Sequence, residues 1–393
     1  MTLPNFNAID DLLSSYVNSG RLAGAVAAVS NREGKIYSKV IGLQDITINT
    51  PMTLDSLFRI YSMTKPITSI ATMMLWEKGK FKLDDPVRKF LPSFKKTRIL
   101  AEDGTLRAAA REVTIRHLLC HTAGITLPAF ADNHLVPLYR ENQLDGVRSQ
   151  GNLSDIVDRL GALPVLFEPG SQWSYSMATD VLGRLVEIWS EQPFADFLEA
   201  SLFKPLGMKD TTFHVAQQDI TRLTTNYSIK EEKLSDPIDI GSSSTYLSPP
   251  EFCSGAGGLI SSANDYLHLI QMLNNDGVFE RNRIVKKETL ALMTKNHLGS
   301  DMTDFGAKDF NGSNWDGIGF GLGFSVVISS NEGEVNCPAG EYGWTGAAGT
   351  MFFINPKLNI SALLLTQYMP SRTYPLRSQF RRAVYNSISN LNS

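Results

Sequence analysis

The sequence places a serine and a lysine three residues apart, Ser62 and Lys65, at the start of an apolar run that predicts a helix. Backbone N–H groups at a helix start have no partner within the helix, and they favour negative charge beside them. A lysine three positions after the serine lies on the same helix face, within reach of the hydroxyl. A desolvated lysine amine gives up its own proton more readily and then accepts the proton of the serine. The pair therefore has the composition of a nucleophile with its base.

The same spacing occurs twice more, at Ser93 and Lys96 and at Ser201 and Lys204, so spacing alone does not identify a site. Ser93 follows a proline among charged residues, which is typical of a surface loop, and a proline cuts short the run after Ser201. Only Ser62 leads into a long apolar helix, in whose first turn a proline is tolerated. A surface helix that Ser62 merely caps remains the structural alternative.

A tyrosine, Tyr175, follows a Pro-Gly turn and stands at the start of another predicted helix, over 174–187. A phenol in that position can project into a cleft, and a nearby lysine ammonium favours the phenolate, which makes Tyr175 a second candidate base. The alternative is a half-buried structural tyrosine. The residue type and position leave both interpretations open.

A third group of small residues lies within the strand-like run "YGWTGAAGTMFFINP", after Trp344. It consists of Thr345, Gly346, Ala347 and Ala348. Glycine inside a strand often marks the close approach of another backbone or of a ligand. A backbone N–H exposed here and the N–H of Ser62 could together stabilise an oxyanion. A Gly-rich hairpin corner is the alternative.

Other kinds of site find little support. The G-x-S-x-G elbow is absent from the whole chain, and "GIGFGLG" reads as a strand because it lacks the dinucleotide-binding spacing. His117 and His121 lie one helical turn apart, but no third metal ligand is evident, which favours a role at a helix end and turn. We therefore expect neither a metal nor a cofactor.

The predicted elements that must position these residues follow a simple order along the chain. A helix and a hairpin come first, many helices follow, and strands and a closing helix end the chain. Strand-like runs at both ends with helices between them predict an α+β fold, in which one sheet is interrupted by an inserted helical domain. We assign residues 1–76 and 298–393 to the sheet domain and 77–297 to the insertion, with the active site between them.

The composition is that of an ordinary globular protein of 393 residues with a net charge of −3. No basic run favours nucleic-acid binding, and no apolar stretch reaches the length of a membrane span. The N-terminus lacks the features of a secretory signal, and three widely spaced cysteines are typical of a reducing compartment. These features predict a cytoplasmic protein without nucleic-acid or membrane partners, and they leave the oligomeric state open.

Taken together, the motifs resemble the serine β-lactamase/penicillin-binding protein superfamily on its class C side, and most closely the family VIII carboxylesterases. "SMTK" looks like the Ser-x-x-Lys motif, "YSM" like Tyr-x-Asn and "WTG" like Lys-Thr-Gly, and the shared connecting segments "HLLCHTAGI", "KPLGM" and "SGAGGLISSANDY" occur in the same order. The resemblance covers nearly the whole chain. It implies an antiparallel sheet flanked by the terminal helices, with an inserted mainly helical domain.

Carried over by position, the resemblance implies that Ser62 is acylated and that Lys65 takes its proton, alone or with Tyr175. Tyr175 would also act on the leaving group or on the deacylating water. The backbone N–H groups of Ser62 and Ala347 would form the oxyanion hole.

The resemblance also assigns substrate contacts to Met177, Trp344, Thr345 and Gly346. Two of these depart from class C β-lactamases, since Met177 replaces an asparagine and Trp344 replaces a lysine. Both changes make the expected pocket less polar and less suited to an anionic substrate.

The resemblance therefore implies a serine carboxylesterase for short- to medium-chain esters, with a small-molecule ester as its partner. A β-lactamase or D-amino-acid amidase or peptidase, and an acyltransferase, are alternatives on the same fold. A catalytically silent scaffold is a further one.

Overall fold

The computed structural model of the protein describes residues 5–307, 315–329 and 337–389 of the chain. The helices in these residues are α1 (Asn7–Asn18), α2 (Thr64–Glu77), α3 (Ile115–Leu119), α4 (Val136–Glu141), α5 (Leu153–Ala162), α6 (Ala178–Ser190), α7 (Phe194–Leu198), α8 (Lys204–Leu206), α9 (Ala263–Asn274), α10 (Lys287–Met293) and α11 (Leu376–Ser389).

The strands in the same residues are β1 (Gly24–Asn31), β2 (Gly34–Asp45), β3 (Thr50–Pro51), β4 (Phe58–Arg59), β5 (Arg98–Leu100), β6 (Leu106–Ala108), β7 (Asn226–Lys230), β8 (Lys233–Asp239), β9 (Ile260–Ser261), β10 (Val278–Phe279), β11 (Asn282–Arg283), β12 (Ile318–Phe320), β13 (Ser325–Val327), β14 (Tyr342–Thr345), β15 (Met351–Asn355), β16 (Ile360–Leu365) and β17 (Tyr368–Met369).

The largest sheet that the described residues form has eight antiparallel strands in the order β12-β13-β14-β15-β16-β1-β2-β3. Strands from both ends of the chain meet at its centre, where Val26 of β1 pairs with Leu365 of β16. The predicted hairpin of β1 and β2 is confirmed.

Alternation along β1 separates the two faces of this sheet. Ala25, Ala27 and Val29 pack in the core that also contains residues of α1 and α11, while Val26 belongs to the core formed with α2, α6 and α9. Successive side chains of a strand point to opposite faces, so the sheet is covered by helices on both sides. The predicted α+β fold class is confirmed, whereas the division into two domains stays a prediction.

Two of the predicted elements differ from the structure. The run "GIGFGLG" is not one strand, because only Ile318–Phe320 form β12 and the chain then turns back to pair as β13. The helix predicted from Ser174 begins only at Ala178. The Ser176 hydroxyl accepts the N–H of Ala178 and bonds the ring of His121 at 2.8 Å, so it holds the preceding residues outside the helix.

Helix length also bears on a membrane association. Within residues 5–307, 315–329 and 337–389, no helix is both long and apolar enough to cross a bilayer.

Candidate active site

Ser62 lies in a single 3₁₀ turn, Tyr61–Met63, which leads directly into α2. Tyr61 has a φ of 43°, a left-handed conformation that is rare for a bulky residue and turns the chain from β4 towards the helix. The Ser62 side chain does not cap α2, and nearly every residue of that helix is buried. The alternative of a capped surface helix is therefore wrong.

Lys65 brings its amine to this serine. Its side chain is 2 % exposed, and Nζ donates to the carbonyl oxygen of Ala256 at 2.7 Å and to Ser62 Oγ at 3.4 Å. The same Nζ lies 4.4 Å from the centre of the Tyr175 ring. No carboxylate in the described part of the chain forms an ion pair with Lys65. Its bonds are therefore aimed at one carbonyl and at the candidate nucleophile.

Ser62 and Tyr175 open onto one cleft with a volume of about 480 Å³, within the usual range for small-molecule sites. One wall is aromatic and is formed by Phe130, Trp315 and Trp344 with Tyr175. The ring centres of Tyr175 lie 5.9 Å from Phe130 and 5.7 Å from Trp344. This wall suits an apolar group attached to a reacting carbonyl.

The end of β14 and the loop after it line the cleft beside Ser62. Trp344, Thr345, Gly346 and Ala347 all line the cleft together with Ser62. A side-chain carbon at Gly346 would overlap the Ile60 carbonyl oxygen, two residues before Ser62. The absence of a side chain thus lets this loop pack directly against the nucleophile turn, as the predicted oxyanion arrangement requires.

We expect Gly346→Ala to lower kcat about 100-fold, because the added methyl pushes the loop away from Ser62 and misplacement by an ångström costs that much. Ester hydrolysis and thermal unfolding would be measured together. Gly183→Ala is the matched control, since an added carbon there has its nearest neighbour at 3.4 Å. Full activity in Gly346→Ala would contradict the close packing of this loop.

Met177 lies outside the cleft wall. It is fully buried before α6, its N–H donates to the carbonyl of Thr126 at 3.3 Å, and it is not among the residues that line the cleft. The structure therefore brings three of the four predicted substrate contacts to the cleft. The roles assigned to these residues stay predictions.

Helix α11 and the segment before it bring cations to the cleft. Arg372, Arg377 and Arg381 line the cleft, although the lysine of the motif is replaced by Trp344. Arg377 Nη2 donates to the carbonyl of Gly346, and burial lowers the pKa of its guanidinium. Arg381 pairs with Glu341 at 3.0 Å. These contacts join residues far apart in the chain, so no local pattern indicated them.

His117 and His121 have different surroundings. The ring of His117 accepts the N–H of Thr114 and completes a capping box at α3, so the predicted helix-end role is confirmed. His121 is buried behind Tyr175, with ring centres 5.2 Å apart. Burial and the charge of Lys65 hold the pKa of His121 well below its usual value. The ring that packs behind Tyr175 is therefore neutral.

Two further residues at the site were missed by sequence reasoning. Ala256, whose carbonyl accepts the Lys65 amine, lies in "SGAGGLISSANDY", which was predicted only as a connecting segment. Asp180 is fully buried, and its carboxylate accepts the N–H of Ala256 at 3.0 Å. An aspartate in the first turn of an apolar helix was the one available signal.

Comparison with known proteins agrees with this geometry. The sequence model of the family described as "Beta-lactamase" matches residues 9–386. The chain is 31% identical over 393 residues to "Esterase EstB" of Burkholderia gladioli, covering 96% of this chain and 94% of that protein. It is 33% identical over 363 residues to "Protein Rv1367c" of Mycobacterium tuberculosis, covering 90% and 88% of the two chains.

Among solved structures, the chain is similar to "EstCE1, a hydrolase with promiscuous acyltransferase activity". The TM-score is 0.83 at 27% identity, and the match covers 96% of this chain and 98% of the other. The predicted enzyme class, a serine hydrolase, and the predicted resemblance to the esterases of this superfamily are both confirmed. The chain belongs to the beta-lactamase family.

Proposed function

We propose that this protein is a serine carboxylesterase that hydrolyses short- to medium-chain esters through an acyl-enzyme on Ser62. The observation that carries the proposal is the Lys65 amine, buried and 3.4 Å from Ser62 Oγ at the edge of an aromatic cleft. The similarity to an esterase over 96% of the chain supports the reaction class.

In the acylation step, Ser62 Oγ forms a bond to the ester carbonyl carbon and its proton passes to Lys65, alone or with Tyr175. The carbonyl oxygen becomes an oxyanion, which the N–H groups of Ser62 and Ala347 stabilise. The bond to the alkoxy group then breaks, and the alcohol leaves with the proton. Water attacks the acyl-enzyme through the reverse proton path and releases the acid and free Ser62.

The cleft supports an ester with a modest apolar group. Phe130, Trp315 and Trp344 offer an apolar surface beside the nucleophile, and a volume of about 480 Å³ suits a small molecule. The arginines of α11 lie at the same cleft, so the substrate is defined here by its ester bond and its apolar group and not by a lack of charge.

A substrate panel tests the proposal. We expect p-nitrophenyl butyrate to be turned over far faster than the β-lactam nitrocefin, with short to medium acyl chains preferred over long ones. Nitrocefin turnover comparable to ester turnover would favour a β-lactamase instead. A catalytically silent scaffold would leave Ser62 unlabelled by a phosphonate probe in the wild-type protein.

Tyr175→Phe removes only the hydroxyl, and we expect kcat to fall about 10²- to 10⁴-fold, the usual contribution of acid–base catalysis. The ring stays in place, so KM should change little. Single-turnover acylation and deacylation rates would show which step the phenol serves. Wild-type kcat in this variant would exclude Tyr175 from proton transfer.

An acyltransferase is the second candidate, supported by the similarity to EstCE1, which is a hydrolase with promiscuous acyltransferase activity. An acyl-enzyme that reacts with an alcohol instead of water uses the same residues. Adding a primary alcohol to the p-nitrophenyl butyrate assay and measuring the butyrate ester against free butyrate separates the two outcomes.

The cytoplasmic location is a proposal of the same kind. It is supported by the three widely spaced cysteines, which are typical of a reducing compartment, and fractionation of the producing cells would test it.

A further inference from the structure

Asp180 is a buried carboxylate that no step of the proposed reaction uses. It lies in the first turn of α6, five residues after Tyr175, and its side chain is fully buried. A carboxylate in the first turn of a helix is stabilised by the helix dipole. Burial nevertheless raises the pKa of Asp180, while the Ser254 hydroxyl, the Ala256 N–H and the charge of Lys65 act in the opposite direction.

The carboxylate holds the turn that contains Ala256. Asp180 Oδ1 accepts the Ser254 hydroxyl at 2.7 Å and the Ala256 N–H at 3.0 Å. The carbonyl of the same Ala256 residue accepts the Lys65 amine at 2.7 Å. The position of that amine relative to Ser62 is therefore linked to Asp180 through a single residue.

Close packing prevents this turn from moving independently. A side-chain carbon at Gly255 would lie 2.8 Å from the Thr179 carbonyl oxygen, so the turn rests against the start of α6. On its other side, the Thr68 hydroxyl of α2 donates to the Gly255 carbonyl at 2.8 Å. The turn thus bridges the helix that carries Lys65 and the helix that carries Asp180.

We infer that Asp180 is a positioning residue, which acts through the Ser254–Ala256 turn to aim the Lys65 amine at Ser62. No ion pair joins Asp180 to Lys65 in the residues that the structure describes, so the link passes through Ala256. One bond from Nζ to the Ala256 carbonyl orients the amine, and its lone pair, once the amine is neutral, faces the serine hydroxyl. The inference rests on the proposed function, because it assigns the residue that places its base.

The test begins with Asp180→Ala and Asp180→Asn. Asp180→Ala removes both bonds to the turn, and we expect kcat to fall about 100-fold because the base is misplaced. KM should stay within about threefold, since neither Asp180 nor the turn lines the cleft. Asp180→Asn keeps an oxygen acceptor in the same place, and we expect it to restore kcat to within about fivefold of the wild-type value.

A double-mutant cycle separates positioning from a general effect on folding. If Asp180 acts only through Lys65, Asp180→Ala should reduce the residual activity of Lys65→Met by less than about twofold. A further large loss in that background would overturn the inference, as would wild-type kcat in Asp180→Ala.

Asp265→Ala is the matched control for Asp180→Ala, because Asp265 is also a buried carboxylate. It holds the N–H of Asp210 at 2.7 Å and the hydroxyl of Thr211 at 2.8 Å, and neither partner bonds Lys65. We expect wild-type kcat in this variant. A loss as large as that in Asp180→Ala would assign both effects to folding and overturn the inference.

Two further measurements keep the test decisive. If Asp180→Ala does not fold, Ser254→Ala removes one of the two bonds to the carboxylate and should lower kcat about tenfold, whereas an unchanged kcat would overturn the inference. If the wild-type protein does not hydrolyse esters, the proposed function fails by itself. The rate of Ser62 labelling by the phosphonate probe then makes the same comparison among the variants without an ester.

Discussion

Ser62→Ala is expected to lower the rate of p-nitrophenyl butyrate hydrolysis about 10⁶-fold, the loss found when a serine protease loses its nucleophile. The reason is that no acyl-enzyme can form without Ser62 Oγ, and the remaining groups only bind and polarise the ester. The substitution removes one oxygen from a side chain that is 8 % exposed, so we expect thermal unfolding to change little.

The chain offers matched controls for this variant. Ser93→Ala and Ser201→Ala remove serines with the same Ser-x-x-Lys spacing, and both should keep wild-type activity. Mass spectrometry after phosphonate treatment should find one label on the wild-type protein and on both controls, and none on Ser62→Ala. A labelled and active Ser62→Ala variant would place the nucleophile elsewhere.

Lys65→Met is expected to lower kcat about 10²- to 10⁴-fold, because it removes the amine that we propose takes the serine proton while keeping a stem of similar length. The change should act on acylation, so Ser62 should also react more slowly with the phosphonate probe. KM should stay close to the wild-type value, since Lys65 lies behind the nucleophile and is not among the cleft-lining residues.

Lys204→Met is the control for this substitution. Lys204 stands in another Ser-x-x-Lys pair, but its side chain is exposed. Its Nζ lies 3.9 Å from Glu199 Oε1, which makes a weak surface ion pair. It should leave kcat unchanged. Near-normal kcat in Lys65→Met would exclude Lys65 as the base and leave Tyr175 as the candidate.

Much of the fold was predictable because its patterns are local. Two β-prone runs around a loop that contains asparagine and glycine predict the hairpin of β1 and β2, and the stripes over α1 and α11 predict helices at both ends. The start of α6 was not predictable, since one partner of the Ser176 hydroxyl ahead of the helix is His121, 55 residues away.

The site was predictable to a similar extent. Ser62 and Lys65 share one helix turn, so their proximity follows from their spacing. Tyr175 and the loop after Trp344 were predicted by resemblance, and the structure brings both to the cleft of Ser62. The surface-helix alternative was excluded only by burial, because the other helices that cover α2 come from distant parts of the chain.

The remaining parts of the site depend on contacts between distant segments. Lys65 meets its carbonyl acceptor 191 residues later in the chain, and Asp180 meets that same residue 76 positions later. Arg377 meets the Gly346 carbonyl 31 residues earlier in the chain and lines the same cleft.

Sequence patterns therefore indicate Ser62 and Lys65 as the candidate nucleophile and base, because the two share one helix face at the start of a long apolar run. They also predict the fold class, because strand-like runs stand at both ends of the chain with helices between them. Tertiary packing sets the direction of the amine, the charge of the cleft and the burial of Met177, because each results from chain segments that meet only after folding.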